Sequence, residues 1–297
     1  MPSQFAVLPA VTALALAGAA LAVGCGDDGG AANAGGRVPQ AKVDRFDADA
    51  AYRSVRQQVA LGPRPAGSAP SRTLARRLRR ALPRGRLQPV GGGLRNVVGT
   101  LPGRDPSRTV IVAAHYDTKD IPGFLGANDG ASGTAIVAQL ARTIEPRELA
   151  PTVVFLMFDG EEAPAGTPDD QFERYGLRGS KAVASRYRGA EAMILLDFVG
   201  ERGLRIPHEP YSDRDLWNRL RAAARRVGAA RVFPAGSGSG VGILDDHVPF
   251  ARQGVPSIDL IDFDFPCWHQ LCDDLSTISP RSLDAVGETV YELLRTL

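Results

Sequence analysis

His115, Asp129, Glu161, Glu162, Asp197 and His269 each stand at or just after the end of a stretch that reads as a β-strand. Imidazole and carboxylate together are the donor set of a zinc-type divalent cation, and a catalytic centre needs open coordination positions besides its ligands. The adjacency of Glu161 and Glu162 suits a division of labour. One carboxylate binds the ion while its neighbour, free of the metal, acts as general base on a nucleophile held there. Taken singly, each residue has a plainer reading: His115 fits a core histidine, Asp129 a helix N-cap and Asp197 a structural carboxylate. Their recurrence at successive strand ends is what points to a site.

The elements that must position them start with Val153 to Phe158, an apolar, β-branched run that stops at Asp159-Gly160 ahead of the two glutamates. Such a run reads as a buried parallel strand, and the C-terminal edge of strands is where open α/β sheets bind ligands. Further strands are expected at Asn96–Thr100, Thr109–Ala114, Met193–Leu196 and Pro256–Ile261. Helices are expected at Phe46–Leu61, from Arg72 toward Arg86, and at Thr134–Ile144, Gly179–Arg188, Leu216–Val227, Asp246–Gln253 and Leu283–Leu294. Strands alternating with helices predict an α/β fold, a single globular domain whose mostly parallel mixed central sheet is covered by helices on both faces.

Composition agrees with one domain behind a leader. The chain has 297 residues, 44% apolar, with a formal charge of +2, enough to bury one substantial core. Acids nearly balance the arginines, which argues against a nucleic-acid partner, and the Arg-rich stretch carries Leu74, Leu78 and Leu82 at helical spacing, an amphipathic helix with a wet basic face. Phe5 to Val23 is small and apolar, and Leu21-Ala22-Val23-Gly24-Cys25 resembles a bacterial lipoprotein cleavage box with Cys25 as the acylated residue. Plain secretion and an uncleaved anchor are the other readings. The expected organisation is an export signal over 1–25, a Gly/Ala/Asp tether over 26–43 and a catalytic domain over 44–297, exported to the cell envelope or secreted, with membrane contact only through the N-terminal lipid or signal anchor. An oxidising compartment would allow Cys267 and Cys272, an even pair once Cys25 is set aside, to bond.

His115-Tyr116-Asp117, the Asp129 loop, Asp159-Gly160-Glu161-Glu162, Leu196-Asp197 and Trp268-His269, in this order, resemble the zinc aminopeptidase superfamily, and specifically its glutaminyl-peptide cyclotransferase branch. Asp245-Asp246-His247-Val248-Pro249-Phe250 followed by Gly254-Val255-Pro256 is the feature most like the cyclases. The resemblance implies one zinc held by Asp129, Glu162 and His269, Glu161 as acid/base, Asp197 and Asp245 as a hydrogen-bonded pair beside it, and Trp268 and Phe265 lining the substrate pocket. The implied partners are peptides or proteins with a free N-terminal Gln, cyclised to pyroglutamate with release of ammonia.

The peptidase branch supplies the alternative. Gly126 to Gly133 reads more like that branch, Pro164 to Pro168 lacks the second pocket tryptophan that the cyclases carry soon after the glutamate pair, and Leu244 and Asp259 stand where the animal cyclases carry polar and histidine residues. In the aminopeptidases His115 and Asp197 complete a second zinc site bridged by Asp129, for removal of N-terminal residues. A third reading is a surface lipoprotein whose pocket binds peptides without catalysis, although such a module has no need of a base beside a ligand.

Overall fold

The computed structural model describes residues 37–236, 240 and 242–297. The expected signal over 1–25 and most of the tether lie outside these residues.

Period-two burial on both sides makes the centre of the sheet. In β3 (Asp105–His115), Val110, Val112 and Ala114 join one apolar cluster while Ile111 and Ala113 join the opposite one; β4 (Pro151–Phe158) divides Val153, Phe155 and Met157 from Val154, Leu156 and Phe158 in the same way. Only a strand covered on both faces has no polar side to show, so these runs are apolar throughout. With β1 (Arg86–Gly91), β2 (Leu94–Leu101), β5 (Ala192–Leu196) and β6 (Ser257–Leu260), they form a six-stranded sheet in the order β1-β2-β4-β3-β5-β6. β4, β3, β5 and β6 are mutually parallel, whereas β2 runs antiparallel to β4 and to β1, so the sheet is mixed as expected.

One face is covered by α1 (Ala48–Val59), α2 (Ala69–Ala81), α3 (Ala131–Thr143), α6 (Arg214–Val227) and α8 (Pro280–Thr296). The other is covered by shorter pieces, which include α5 (Arg178–Lys181) and α7 (His247–Ala251), with α4 (Phe172–Tyr175) preceding them in the loop after β4. The close approach of α3 to the sheet depends on Gly133, where a Cβ would come within 2.1 Å of the Leu196 carbonyl oxygen. That contact seats the helix following Asp129 directly on the end of the strand preceding Asp197.

Several expectations change. The stretch Gly179–Arg188 does not form one helix: α5 ends at Lys181 and a separate 3-10 turn covers Ala184–Tyr187, so the segment buries Val183 and Ala184 as two short pieces. The Arg-rich helix ends at Ala81, and Arg86 opens the unexpected edge strand β1, a short run of mixed residues that carries Pro89. Packing begins before residue 44, because Val38 is buried and the Lys42 N–H donates to the Val227 carbonyl at 2.7 Å. The tether expected to reach 43 is therefore docked at its last residues. Among the described residues no helix is long and apolar enough to cross a membrane.

At this docking point Asp284 of α8 is half-buried beside Glu288 and Asp44, and burial followed by their charge raises its carboxyl from 3.8 to about 6. The folded protein thus holds this proton more tightly than the unfolded chain, and the stability linked to it is present below about pH 4 and lost as pH rises through about 6. Asp284→Asn should be more stable than the parent above pH 6, with the difference vanishing below about pH 4, as read from urea midpoints across pH.

Candidate metal centre and active site

Register brings the strand ends level. His115 closes β3 opposite Phe158, the last residue of β4, and the Asp197 N–H, just past β5, donates to Leu260 at the end of β6. The loops leaving these ends therefore share one edge. After β4, Gly160 takes φ +78°, a conformation other residues adopt only with strain, and the turn is held by Asp117. Its Oδ1 accepts from the Gly160 and Glu161 N–H groups at 2.9 and 3.3 Å, and its Oδ2 from Glu162 N–H at 3.2 Å. Arg178 of α5 donates to the Glu162 carbonyl at 2.8 Å and closes the turn from the other side.

The Asp129 loop is fixed as tightly. Asp273 accepts from the Asn128 and Asp129 N–H groups at 2.7 and 3.0 Å, and the buried Arg64 guanidinium donates to the carbonyls of Leu125 and Gly126 at 2.8 and 3.0 Å. The Leu61-Gly62-Pro63-Arg64 segment thus acts as a brace for this loop.

Two triads result, sharing one residue. The ligand atoms of Asp129, Glu162 and His269 lie within 4.8 Å of one another, as do those of His115, Asp129 and Asp197. His269 Nε2 stands 3.1 Å from Glu162 Oε1 and 3.6 Å from Asp129 Oδ2, and that Oδ2 is buried without a hydrogen-bond partner. His115 Nε2 lies 3.3 Å from Asp129 Oδ1 and 3.2 Å from Asp197 Oδ1. A carboxylate oxygen left bare in a buried, acid-rich site is what a cation would satisfy, so these residues fit a divalent metal. Glu161 belongs to neither triad; its Oε2 is 3.9 Å from His115 Nδ1.

The electrostatics express an excess of buried acid. Burial and then the charge of Glu162 push Glu161 well above the usual carboxylate range, and burial raises Asp117 and Asp197 to about 7 despite His115. Burial together with the Asp129 charge also takes Asp273 to about 7. Burial acts to lower His115, yet Asp197 and Asp129 outweigh it and hold it well above an ordinary histidine. For Glu162, burial is overcome by the hydrogen bond and charge of His269, with help from Lys119, and the carboxyl is held low.

Above the triads opens a cavity of about 460 Å³. Its polar floor is Asp129, Glu161, Glu162, Asp197 and His269, and Phe172, Ile243, Leu244, Phe263 and Trp268 supply the apolar walls. Trp268 stacks on His269 with ring centroids 4.6 Å apart. Asp245 lines the cavity too, and its Oδ1 accepts from the Asp246 N–H, while Asp197 Oδ1 is engaged by His115 and by the Phe198 N–H. Phe265 is buried behind Phe198 with centroids 6.1 Å apart, and Phe263, two residues earlier, takes the wall position expected for it.

Behind Asp245 lies a sealed group in which His247 Nε2 is 3.2 Å from Glu209 Oε1 and His247 Nδ1 is 3.8 Å from Asp259 Oδ2. His208 plays no part there; its Nε2 pairs with the Ser212 carbonyl. Cys267 and Cys272 are joined by a disulfide, with Cα atoms 5.5 Å apart.

Sequence reasoning assigned no role to Asp117, Lys119 or Asp273. Asp117 had one signal, its spacing of two from His115, which keeps it on the same side of an extended chain. Lys119, whose Nζ is 3.0 Å from Glu162 Oε2, and Asp273 had none, because each is recruited by a loop from elsewhere in the chain.

Residues 96–294 match the peptidase family M28. The Drosophila melanogaster glutaminyl-peptide cyclotransferase is 28% identical over 235 residues, 66% of this chain and 63% of that protein, so the chain spans less than two thirds of that relative's length. Among solved structures, the Porphyromonas gingivalis glutaminyl cyclase is 30% identical with a TM-score of 0.74, covering 85% of this chain and 99% of its own. A leucine aminopeptidase precursor from Bacteroides thetaiotaomicron is 28% identical with a TM-score of 0.75, covering 88% and 99%.

Asp117→Ala would leave the N–H groups of Gly160, Glu161 and Glu162 without their acceptor, at about 1–3 kcal/mol for each that stays buried and unpaired. The variant should lower the urea midpoint and weaken metal binding by about 10- to 100-fold, the usual effect of removing a group that orients a ligand. Calorimetric metal titration checks this directly.

Proposed function

Because this chain belongs to peptidase family M28, we propose that its site is that of a zinc-dependent glutaminyl-peptide cyclotransferase, which closes the N-terminal glutamine of a peptide into pyroglutamate and releases ammonia. The observation that carries the reading is Glu161: a carboxyl outside both candidate ligand triads, adjacent in sequence to Glu162, on the floor of an aromatic-walled cavity. Likeness to the solved bacterial cyclase over nearly its whole length supports the same reading.

Asp129, Glu162 and His269 would hold the zinc. When bound, the ion supplies Lewis acidity to the γ-amide carbonyl of the substrate. Glu161 accepts a proton from the attacking α-amine as the nitrogen–carbon bond forms, and returns it to the departing amide nitrogen as that carbon–nitrogen bond breaks and ammonia leaves. The nucleophile is already tethered to its target, so the residues around it need only orient the two ends and keep water away. Phe172, Ile243, Leu244, Phe263 and Trp268 provide such a wall, and Asp117 keeps Glu161 and Glu162 on one turn.

The second triad favours one alternative, a co-catalytic aminopeptidase in which His115 and Asp197 hold a second zinc bridged by Asp129. The apolar run ending at Cys25 supports export with acylation at that cysteine, and an unmodified N-terminus at Met1 in an intact-mass measurement would contradict it.

Mass spectrometry of a Gln-Leu-Xaa peptide and a Leu-Xaa peptide after incubation with zinc-loaded protein tests the proposal. The first peptide should become lighter by one ammonia and the second stay intact; release of free leucine or glutamine would replace the cyclase with the peptidase. Glu161→Gln should lower turnover by about 10²- to 10⁴-fold, the range for a lost general acid/base, while zinc content stays that of the parent. Loss of zinc in that variant would exchange the roles of Glu161 and Glu162.

A further inference from the structure

His269 sits inside a covalent ring. The Cys267–Cys272 disulfide closes on Trp268, His269, Gln270 and Leu271, so a proposed metal ligand and the aromatic wall beside it belong to one short loop. Most of this loop lies at the surface: Pro266, Trp268, Gln270, Leu271 and Cys272 are all exposed and Cys267 is half-buried, with Trp268 packed on Phe263 and His269 and with Phe124 in a T-shaped contact with the His269 ring. His269 itself has φ +52°, a left-handed conformation that costs a non-glycine residue about 1–2 kcal/mol and persists only where its surroundings impose it. Within the loop, the Gln270 N–H donates to the Cys267 carbonyl at 3.0 Å and the Asp273 N–H to the Gln270 carbonyl at 3.0 Å.

The residue that follows the ring extends its reach. Asp273 is buried and its carboxylate takes the N–H groups of Asn128 and Asp129. The same closed loop therefore presents His269 directly and holds Asp129 through Asp273. Glu162, the remaining member of the triad, is set independently by Asp117.

The geometry points to the Cys267–Cys272 disulfide as the device that positions His269 and Asp129 for metal, making tight metal loading conditional on oxidation of this pair. The inference rests on the assignment of Asp129, Glu162 and His269 as the ligands of the proposed zinc. Oxidation takes two electrons and two protons from the two thiols and passes them to a disulfide-bearing oxidant, which leaves as a dithiol; such partners belong to oxidising compartments. Cys272 is an exposed residue, and reduction runs the same step backwards and frees His269 to leave the left-handed conformation.

Cys267→Ser/Cys272→Ser in the full chain, zinc-loaded and compared with the parent by competition against a chromogenic chelator, provides the test. The double variant should keep the circular dichroism of the parent and bind zinc about 10- to 100-fold more weakly, the effect of losing a group that orients ligands. Zinc affinity equal to the parent's would overturn the inference. If the variant does not fold, the folded zinc-loaded parent is instead reduced with a water-soluble phosphine, which takes oxygen from water as it delivers two electrons, and the thiols are alkylated. Transfer of zinc to the chelator should then accelerate, and unchanged retention would overturn the inference. His269→Ala with the disulfide intact separates the two claims, since zinc retained at parental affinity there refutes the ligand assignment itself.

Discussion

Carboxylates gathered in a buried place, with too little positive charge among them, form the constraint on which this molecule is built. Asp117, Asp129, Glu161, Glu162, Asp197, Asp245, Asp246 and Asp259 are all buried around one edge of the sheet. Charges taken from water this way are tolerated only when paired, hydrogen-bonded or protonated. The chain answers in part with His115 between Asp129 and Asp197, with Lys119 and His269 on Glu162, and with backbone N–H groups aimed at Asp117 and Asp273. The unpartnered Asp129 oxygen marks where that answer is incomplete, which is where a divalent cation fits.

The fold serves this gathering. Parallel strands with level C-terminal ends deliver His115, the Glu161 turn and Asp197 to one line, and the seating of α3 on Leu196 through Gly133 puts the Asp129 loop above it. His269 arrives differently, on a largely exposed loop that is closed by a disulfide. Glu162 thus rests on a turn that Asp117 holds at the sheet edge, while His269, and Asp129 through Asp273, adjoin a short loop closed by a disulfide.

Much of this was legible in the sequence because it is written in period and type. The runs in β3, β4 and β5 are apolar on both faces, and imidazole and carboxylate side chains stand at or just after their ends, so the sheet edge and its occupants could be read together. What was not legible depends on loops. β1 is short, mixes Arg86 and Gln88 with Leu87 and Val90 and carries a proline, so its pattern does not distinguish an edge strand from a turn. The helix expected at Gly179–Arg188 breaks because its start follows Leu177 in a left-handed conformation and its middle turns inward to bury Val183. The exchange of Phe265 for Phe263 at the cavity wall reflects the path of the loop after β6, which apolar residue type does not reveal.

Anomalous diffraction at the zinc absorption edge, from crystals of the zinc-loaded protein, tests the central claim most directly. The account predicts one principal peak at about 2.0–2.2 Å from a carboxylate oxygen of Asp129, one of Glu162 and a ring nitrogen of His269. A second peak of equal strength between His115, Asp129 and Asp197 would contradict the one-ion account in favour of a co-catalytic pair. No peak at Asp129 would contradict the view that this buried carboxylate cluster exists to hold a cation.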